Sequence, residues 1–404
     1  MPLQELLFLL LPVAALSGWW LARASTGKSA DSKNNCANEP NYYKGINFLL
    51  NEQPDKAIDV FIQLLEVDTE TVETHLALGS LFRKRGEVDR AIRIHQNLIA
   101  RPSLGQEQRA NALLELGQDY LYAGLHDRAE NLFNELVESG RLQRKALENL
   151  REIYQKEKLW DKCLQVISKL QGLSDNSYVM EISHYYCELA EQARLKNDRS
   201  HQLEYIRKAR QAMPASVRAL MMEADLEAEN KHYRKALSLY ERIIKDNPAF
   251  VGEILDKLLM CLSHNTSAVD IIERLQSLYK ETTNSAVLRR LVTQMLQNRS
   301  RQEVVDYLLD VLRQSSSLQS LELLTELKRD GGNSDELRKI FSVINDTLHA
   351  EISSRSAYLC QRCGFTAKTL HWQCPGCRSW GRMTPLNEQD RHSVPCMDIK
   401  KGSL

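Results

Sequence analysis

At 404 residues the chain is long enough for two or more domains and a substantial core. Its 53 Lys and Arg balance 53 Asp and Glu, so the formal net charge is zero and the broad basic field of a nucleic-acid binder is excluded. Basic clusters such as RKRGEVDR at 83–90 are broken by acids every few residues and read as solvated helix faces.

The first element is an apolar run from Leu6 to Ala22, LLFLLLPVAALSGWWLA, 17 residues without a charge. As a helix it would reach about 25 Å, at the short end of what crosses a bilayer. Trp19 and Trp20 suit a membrane–water interface, and Arg23, Lys28 and Lys33 follow. The positive flank is expected to stay in the cytoplasm, with the amino terminus outside and the bulk of the chain inside. A cleaved signal peptide would want positive charge ahead of the run and a small-x-small site behind it. Here Glu5 stands ahead and two tryptophans behind. Residues 1–23 are thus expected to form a single transmembrane anchor, and 24–40, rich in Ser, Asn and Ala, a flexible linker.

From 41 to 352 the chain is self-similar. Gly45 and Ala57 are twelve apart, as are Gly79 and Ala91, Gly117 and Ala129, and Ala224 and Ala236. The first residues step by 34 and 38, and extrapolated copies at 151, 190, 224 and 258 continue with steps of 34, 39, 34 and 34. Two antiparallel helices joined by a short turn must approach closely where they cross, and a small residue on each lets the backbones meet. Pro102, Pro214 and Pro248 fall where second helices should end. The small position is lost at Arg151 and Leu258, and at Gln202 on the second helix, so those copies should pack less tightly. Helical periodicity runs on from 286 to 352 without paired small residues, which reads as one or two degenerate helix pairs capping the stack. This pattern resembles the tetratricopeptide repeat, which implies an all-α superhelix offering an extended protein-binding face. The clamp with which some such repeats grip an acidic carboxyl terminus resembles Lys three before and Asn one after the small residue. This chain has Leu76 and Ser80, Leu114 and Gln118, and Met221 and Asp225 there. The clamp is therefore absent.

Residues 353–390 carry CQRCGFTAKTLHWQCPGC, in which Cys360, Cys363, Cys374 and Cys377 form two Cys-x-x-Cys knuckles ten residues apart; 391–404 is a tail. Gly364 permits the left-handed backbone a knuckle prefers, and Arg378 stands at the equivalent place in the second. Four thiolates make a closed tetrahedral shell, so the expected occupant is one structural metal ion, zinc or iron, with no open position for a substrate. A module this small needs its metal to fold. Tyr358, Phe365, Trp372 and Trp380 are expected to pack around the site or dock it on the last helices, with His371 on the surface. Both knuckles resemble those of rubredoxin. Cys163, Cys187 and Cys261 fall at apolar or small helical positions, while Cys36 and Cys396 lack evident partners; such unmatched thiols fit a reducing compartment.

The chain contains no phosphate-binding glycine loop, no His-Glu-x-x-His and no Gly-x-Ser-x-Gly, and is read as a non-enzyme with no catalytic residues. Anchor, repeat array and knuckle pair, in that order, resemble the lipopolysaccharide assembly protein B family of Gram-negative bacteria. The resemblance spans the whole chain. It implies a regulatory adaptor on the cytoplasmic side of the inner membrane that works with the protease FtsH to promote destruction of LpxC, the deacetylase that commits precursor to lipid A. It also leaves room for other lipopolysaccharide-assembly partners and a homodimer. Two further readings stay open: a general scaffold for envelope-biosynthesis enzymes, and a redox carrier using an iron-loaded knuckle pair.

Overall fold

The structure, a computed structural model, describes residues 39–51 and 72–386, with isolated positions at 53, 56, 57 and 60; residues 103, 174–176, 265–266, 316 and 332–334 fall outside the description. The apolar run and the tail also lie outside it, as does the expected linker except Glu39 and Pro40, where a helix has already begun. Among the described residues no helix is long and apolar enough to cross a membrane. The chain divides into two compact units between Leu159 and Trp160.

In the first unit α1 (Glu39–Leu50) precedes α2 (Val72–Lys84), α3 (Val88–Ile99), α4 (Gln106–Tyr122), α5 (His126–Glu138) and α6 (Gln143–Lys156). Helices α2 and α3 pack as a hairpin, as do α4 and α5, and each first helix also touches the next first helix. The second unit runs through α7 (Trp160–Gln171), α8 (Val179–Leu195), α9 (Arg199–Ala212), α10 (Val217–Glu229) and α11 (Tyr233–Asp246) to a 3₁₀ turn (Pro248–Phe250). It continues with α12 (Val251–Ser263), α13 (Ala268–Thr282), α14 (Ser285–Asn298), α15 (Arg301–Gln314), α16 (Leu318–Gly331) and α17 (Asp335–Ser354). Here α8, α10, α12, α14 and α16 touch in succession, the signature of stacked helical hairpins. Asp198, Ser216, Ser267, Asn284 and Ser300 each cap a helix by accepting an amide hydrogen bond from its first turn. One apolar core runs unbroken from Leu220 to Leu327.

The repeat spacing is written in the hairpin turns as well. Gly86, Gly124, Lys158, Asn197 and Lys231 all have positive φ, each seven residues past a first position of the repeat. The turn therefore survives at Lys158 and Asn197, in the copies where Arg151 and Gln202 replace a small residue. What lies against the glycines differs from expectation. A Cβ on Gly117 would come 2.5 Å from the Phe133 ring, and one on Gly79 would overlap the His95 ring. The space left by glycine is filled by a ring sixteen residues on, one helical turn past the alanine. Phe133 is fully buried, and His95 beside it in the sequence pattern is too. His95 Nδ1 lies 2.5 Å from the buried Asp119 carboxylate, which also pairs with Arg83 at 2.6 Å. Arg83 is held further by Glu115 at 2.6 Å, so a buried polar network ties α2, α3 and α4 together.

Gly117→Ala should therefore destabilise the first unit. Alanine gains about 0.5–1 kcal/mol in helix propensity. Forcing a methyl into the Phe133 ring costs about 1–3 kcal/mol. Urea unfolding should show a net loss near 1 kcal/mol, and an unchanged or raised midpoint would mean that the helices do not approach this closely.

Candidate metal centre and its seat

After α17 the chain forms three short strands, β1 (Tyr358–Cys360), β2 (Thr366–Ala367) and β3 (Met383–Pro385), antiparallel in the order β2-β1-β3. β1 delivers Cys360 into the first knuckle. There the Gly364 amide donates to the Cys360 carbonyl at 2.9 Å, and the Arg378 amide donates to Cys374 at 2.8 Å in the second. Gly364 has φ +76° and Arg378 +54°, so both knuckles close through the same left-handed step. Amides also point at the sulfurs: Phe365 at Cys363, Gly376 and Cys377 at Cys374, and Ser379 at Cys377.

The four sulfurs lie within 4.8 Å of one another. Cys360 to Cys377 and Cys363 to Cys374 are each 3.7 Å apart. A tetrahedral ion with sulfur bonds of about 2.3 Å spaces its ligands by about 3.8 Å. The constellation fits a bound ion and is far too wide for disulfides. Burial pushes the Cys374 thiol up to about 12 and raises Cys363 as well. Burial acts on Cys377 too, but the hydroxyl and amide of Ser379 outweigh it and hold that thiol at about 6. A bound divalent ion supplies the charge that keeps all four as thiolates. His371 is half-buried, with its Nε2 3.3 Å from the Thr369 hydroxyl, and is not part of the sulfur cluster.

The two knuckles make a paired prediction. Arg378 occupies a backbone region that costs an L-residue about 1–2 kcal/mol. Arg378→Gly should raise the stability of the metal-loaded module by about 1 kcal/mol, whereas Gly364→Ala should lower it by a similar amount. Chelator-competition melts would read both, and equal responses at the two positions would contradict the shared geometry.

The module's main seat is not on the last helices, which it meets where Lys368 Nζ donates to the Ser353 carbonyl at 2.8 Å. Its seat is built from α7, α8, α10, the 3₁₀ turn and α12. Trp380 is 5% exposed; its ring stacks on His184 at 5.3 Å and meets Trp160 and Tyr185 edge-on at 5.8 Å. Trp372 lies parallel to Phe250 at 6.0 Å, with the Arg218 guanidinium 5.7 Å above it. The Tyr358 hydroxyl donates to the Glu253 carboxylate. A Cβ on Gly381, φ +60°, would come 2.7 Å from His184 Nε2 and 3.0 Å from Met180 Sδ. The first helices α8, α10 and α12, with Trp160 from the second helix α7 and Phe250 from the 3₁₀ turn, present these groups side by side, whereas α16 and α17, next in sequence, offer no comparable aromatic set.

Burial, reinforced by Arg218, lowers the His184 pKa to about 3. The docked state thus refuses a proton that a free imidazole takes near 6.5. The seat keeps its full strength above pH 6.5 and weakens as pH falls toward 3, by about 1.4 kcal/mol at pH 5.5. His184→Phe should flatten that part of the dependence, measured by amide exchange across 180–185 with the metal retained.

On the same unit a groove of about 610 Å³ opens among Glu191, Arg194, Asp225, Tyr240, Lys257 and Met260. Asp225 accepts the Tyr240 hydroxyl at 2.7 Å and pairs with Lys257. It is a mixed-charge surface suited to protein contact. The buried thiols Cys163, Cys187 and Cys261 are remote from the metal ligands in sequence, and burial pushes Cys187 up to about 12. Cys36 and Cys396 lie outside the described residues.

Residues 358–385 match the family described as rubredoxin metal binding domain, and residues 74–109 match the tetratricopeptide repeat. Lipopolysaccharide assembly protein B of Escherichia coli K12 is 37% identical over 387 residues, 96% of this chain and 99% of that protein. The protein of the same name from Haemophilus influenzae is 31% identical over 398 residues, 96% of this chain and 100% of its own length. Among solved structures, the crystal structure of MamA protein shares 19% identity with a TM-score of 0.33, over 42% of this chain and 87% of that one.

Proposed function

The chain belongs to the lipopolysaccharide assembly protein B family, and from that premise we propose that it is a membrane-anchored adaptor controlling lipopolysaccharide synthesis through proteolysis. In this reading residues 1–23 hold it in the inner membrane with the repeats in the cytoplasm. The helices and the metal module bring the protease FtsH and its substrate LpxC within reach of one another. The gain is effective concentration, and the adaptor contributes contacts rather than catalytic groups. The observation that carries the proposal is the seat of the metal module. Trp372 and Trp380 fix it on the helices of the second unit, so module and helices present one composite binding face. The ion is structural, zinc or iron, because four protein thiolates leave it no open position.

The test is the half-life of LpxC in cells after protein synthesis is blocked, with the chain present and then depleted. A marked lengthening on depletion, reproduced when residues 1–23 are deleted, supports the adaptor. An unchanged half-life sinks it and leaves a passive scaffold. A purified protein that is red and reversibly reducible would point to electron transfer instead.

A further inference from the structure

Helix α17 carries an apolar face that nothing among the described residues covers. Leu337, Ile340, Val343 and Ile344 are 50%, 49%, 67% and 39% exposed, and their spacing lines them up along one side of the helix. The other side is engaged by α16: the Thr325 hydroxyl donates to Asn345 at 3.2 Å, and His349 Nδ1 lies 2.9 Å from Glu322. A stack of helical hairpins ends stably when its last helix turns a polar face outward. α17 does the reverse, so among the described residues the stack ends on an apolar face rather than a polar cap.

We propose that this face is covered by α17 of a second copy of the chain, packed antiparallel about a two-fold axis near Ser342. In that register each Ile340 faces the partner's Ile344, with Leu337 closing the stripe at both ends. Lys339 and Asp346 stand seven residues apart, two helical turns, along the same edge of the stripe. The two-fold therefore sets each Lys339 opposite the partner's Asp346. A parallel two-fold would instead send this edge to opposite sides of the pair, so that Lys339 and Asp346 of the two copies could not face one another. A lipid surface suits the stripe less, because Glu336, Asp346 and Glu351 border or flank it. Residues 387–404 suit it less too, since their large apolar residues are only Val394, Met397, Ile399 and Leu404. The proposal is independent of the proteolytic reading, and either can fail alone.

Sedimentation velocity of the full chain in detergent micelles, over a concentration series, tests it. The unaltered chain should dimerise reversibly. Ile340→Asp with Ile344→Asp, at exposed positions where the fold should persist by circular dichroism, should weaken the dimer by about a hundredfold or more. Lys339→Asp or Asp346→Lys alone should weaken it about tenfold, since the two-fold doubles each repulsion. Combining the two reversals should restore it. A chain monomeric at every concentration, or a dimer indifferent to all four substitutions, overturns the proposal. So would a monomer that dimerises only after truncation at Leu386, or one that binds phosphatidylglycerol vesicles through Ile340.

Discussion

Stripping the metal should unfold the module at 358–385 while leaving the helices standing. Four thiolates converge within 4.8 Å of one another, and without an ion they combine burial with mutual repulsion on ionisation. The module's own core is Cys360, Cys374 and Met383 with a few partly buried neighbours, too little apolar surface to fold alone. A structural ion supplies on the order of 10–16 kcal/mol to such a module, so its removal exceeds any single contact described above. Chelation under reducing conditions, or Cys374→Ser at a fully buried ligand position, should bring amide exchange across 358–385 close to the unfolded rate. Trp372 and Trp380 should shift to solvent-exposed fluorescence. The far-UV helical signal should fall little, because the core from Leu220 to Leu327 is built by the helices themselves. Metal content should read one ion per chain before treatment. Unchanged exchange and fluorescence in metal-free protein would mean that the ion is incidental to the fold.

What the sequence made legible was whatever depends on local spacing. Four cysteines at fixed offsets announce their site because each knuckle is closed by backbone a few residues long, and Gly364 marks the left-handed step. Small residues twelve apart reveal hairpins, and around Arg151, where the first of the pair is lost, the repeat step and the turn at Lys158 keep the register. The rings that fill the glycine positions were not legible. His95 and Phe133 share no residue type, only a place sixteen residues on. The seat was hidden for a different reason. Tyr358 and Glu253 are 105 residues apart, and Trp380 reaches helices that begin at Trp160. Nothing in a local window says which turn of a helical stack a distant tryptophan will meet. The buried network of Arg83, His95, Glu115 and Asp119 likewise reads as ordinary polar sequence until three helices bring it together.

Trp380→Ala should detach the module without unfolding it, which separates docking from metal binding. The indole is almost wholly buried against His184, Trp160 and Tyr185, and truncating such a ring costs about 3–5 kcal/mol. The loss falls on the seat, because the sulfurs and the strands that carry them do not involve the Trp380 side chain. His184 Nδ1 and Trp380 Nε1 have no hydrogen-bond partner among the described residues. Ring packing and burial therefore hold this part of the seat, and polar contacts from Tyr358 and Arg218 remain as secondary ties. The variant should keep its full metal content and its exchange protection within 358–367. Protection should fall around His184 and Glu253, and a protease should gain access between Ser354 and Tyr358. Gly381→Ala should act the same way more mildly, through the methyl driven toward His184 and Met180. If Trp380→Ala released metal as readily as Cys374→Ser, module and seat would fold as one unit, and the two-part reading of this region would fail. If the variant left protection at His184 untouched, the stacking around Trp380 would carry no weight in holding the module to the repeats.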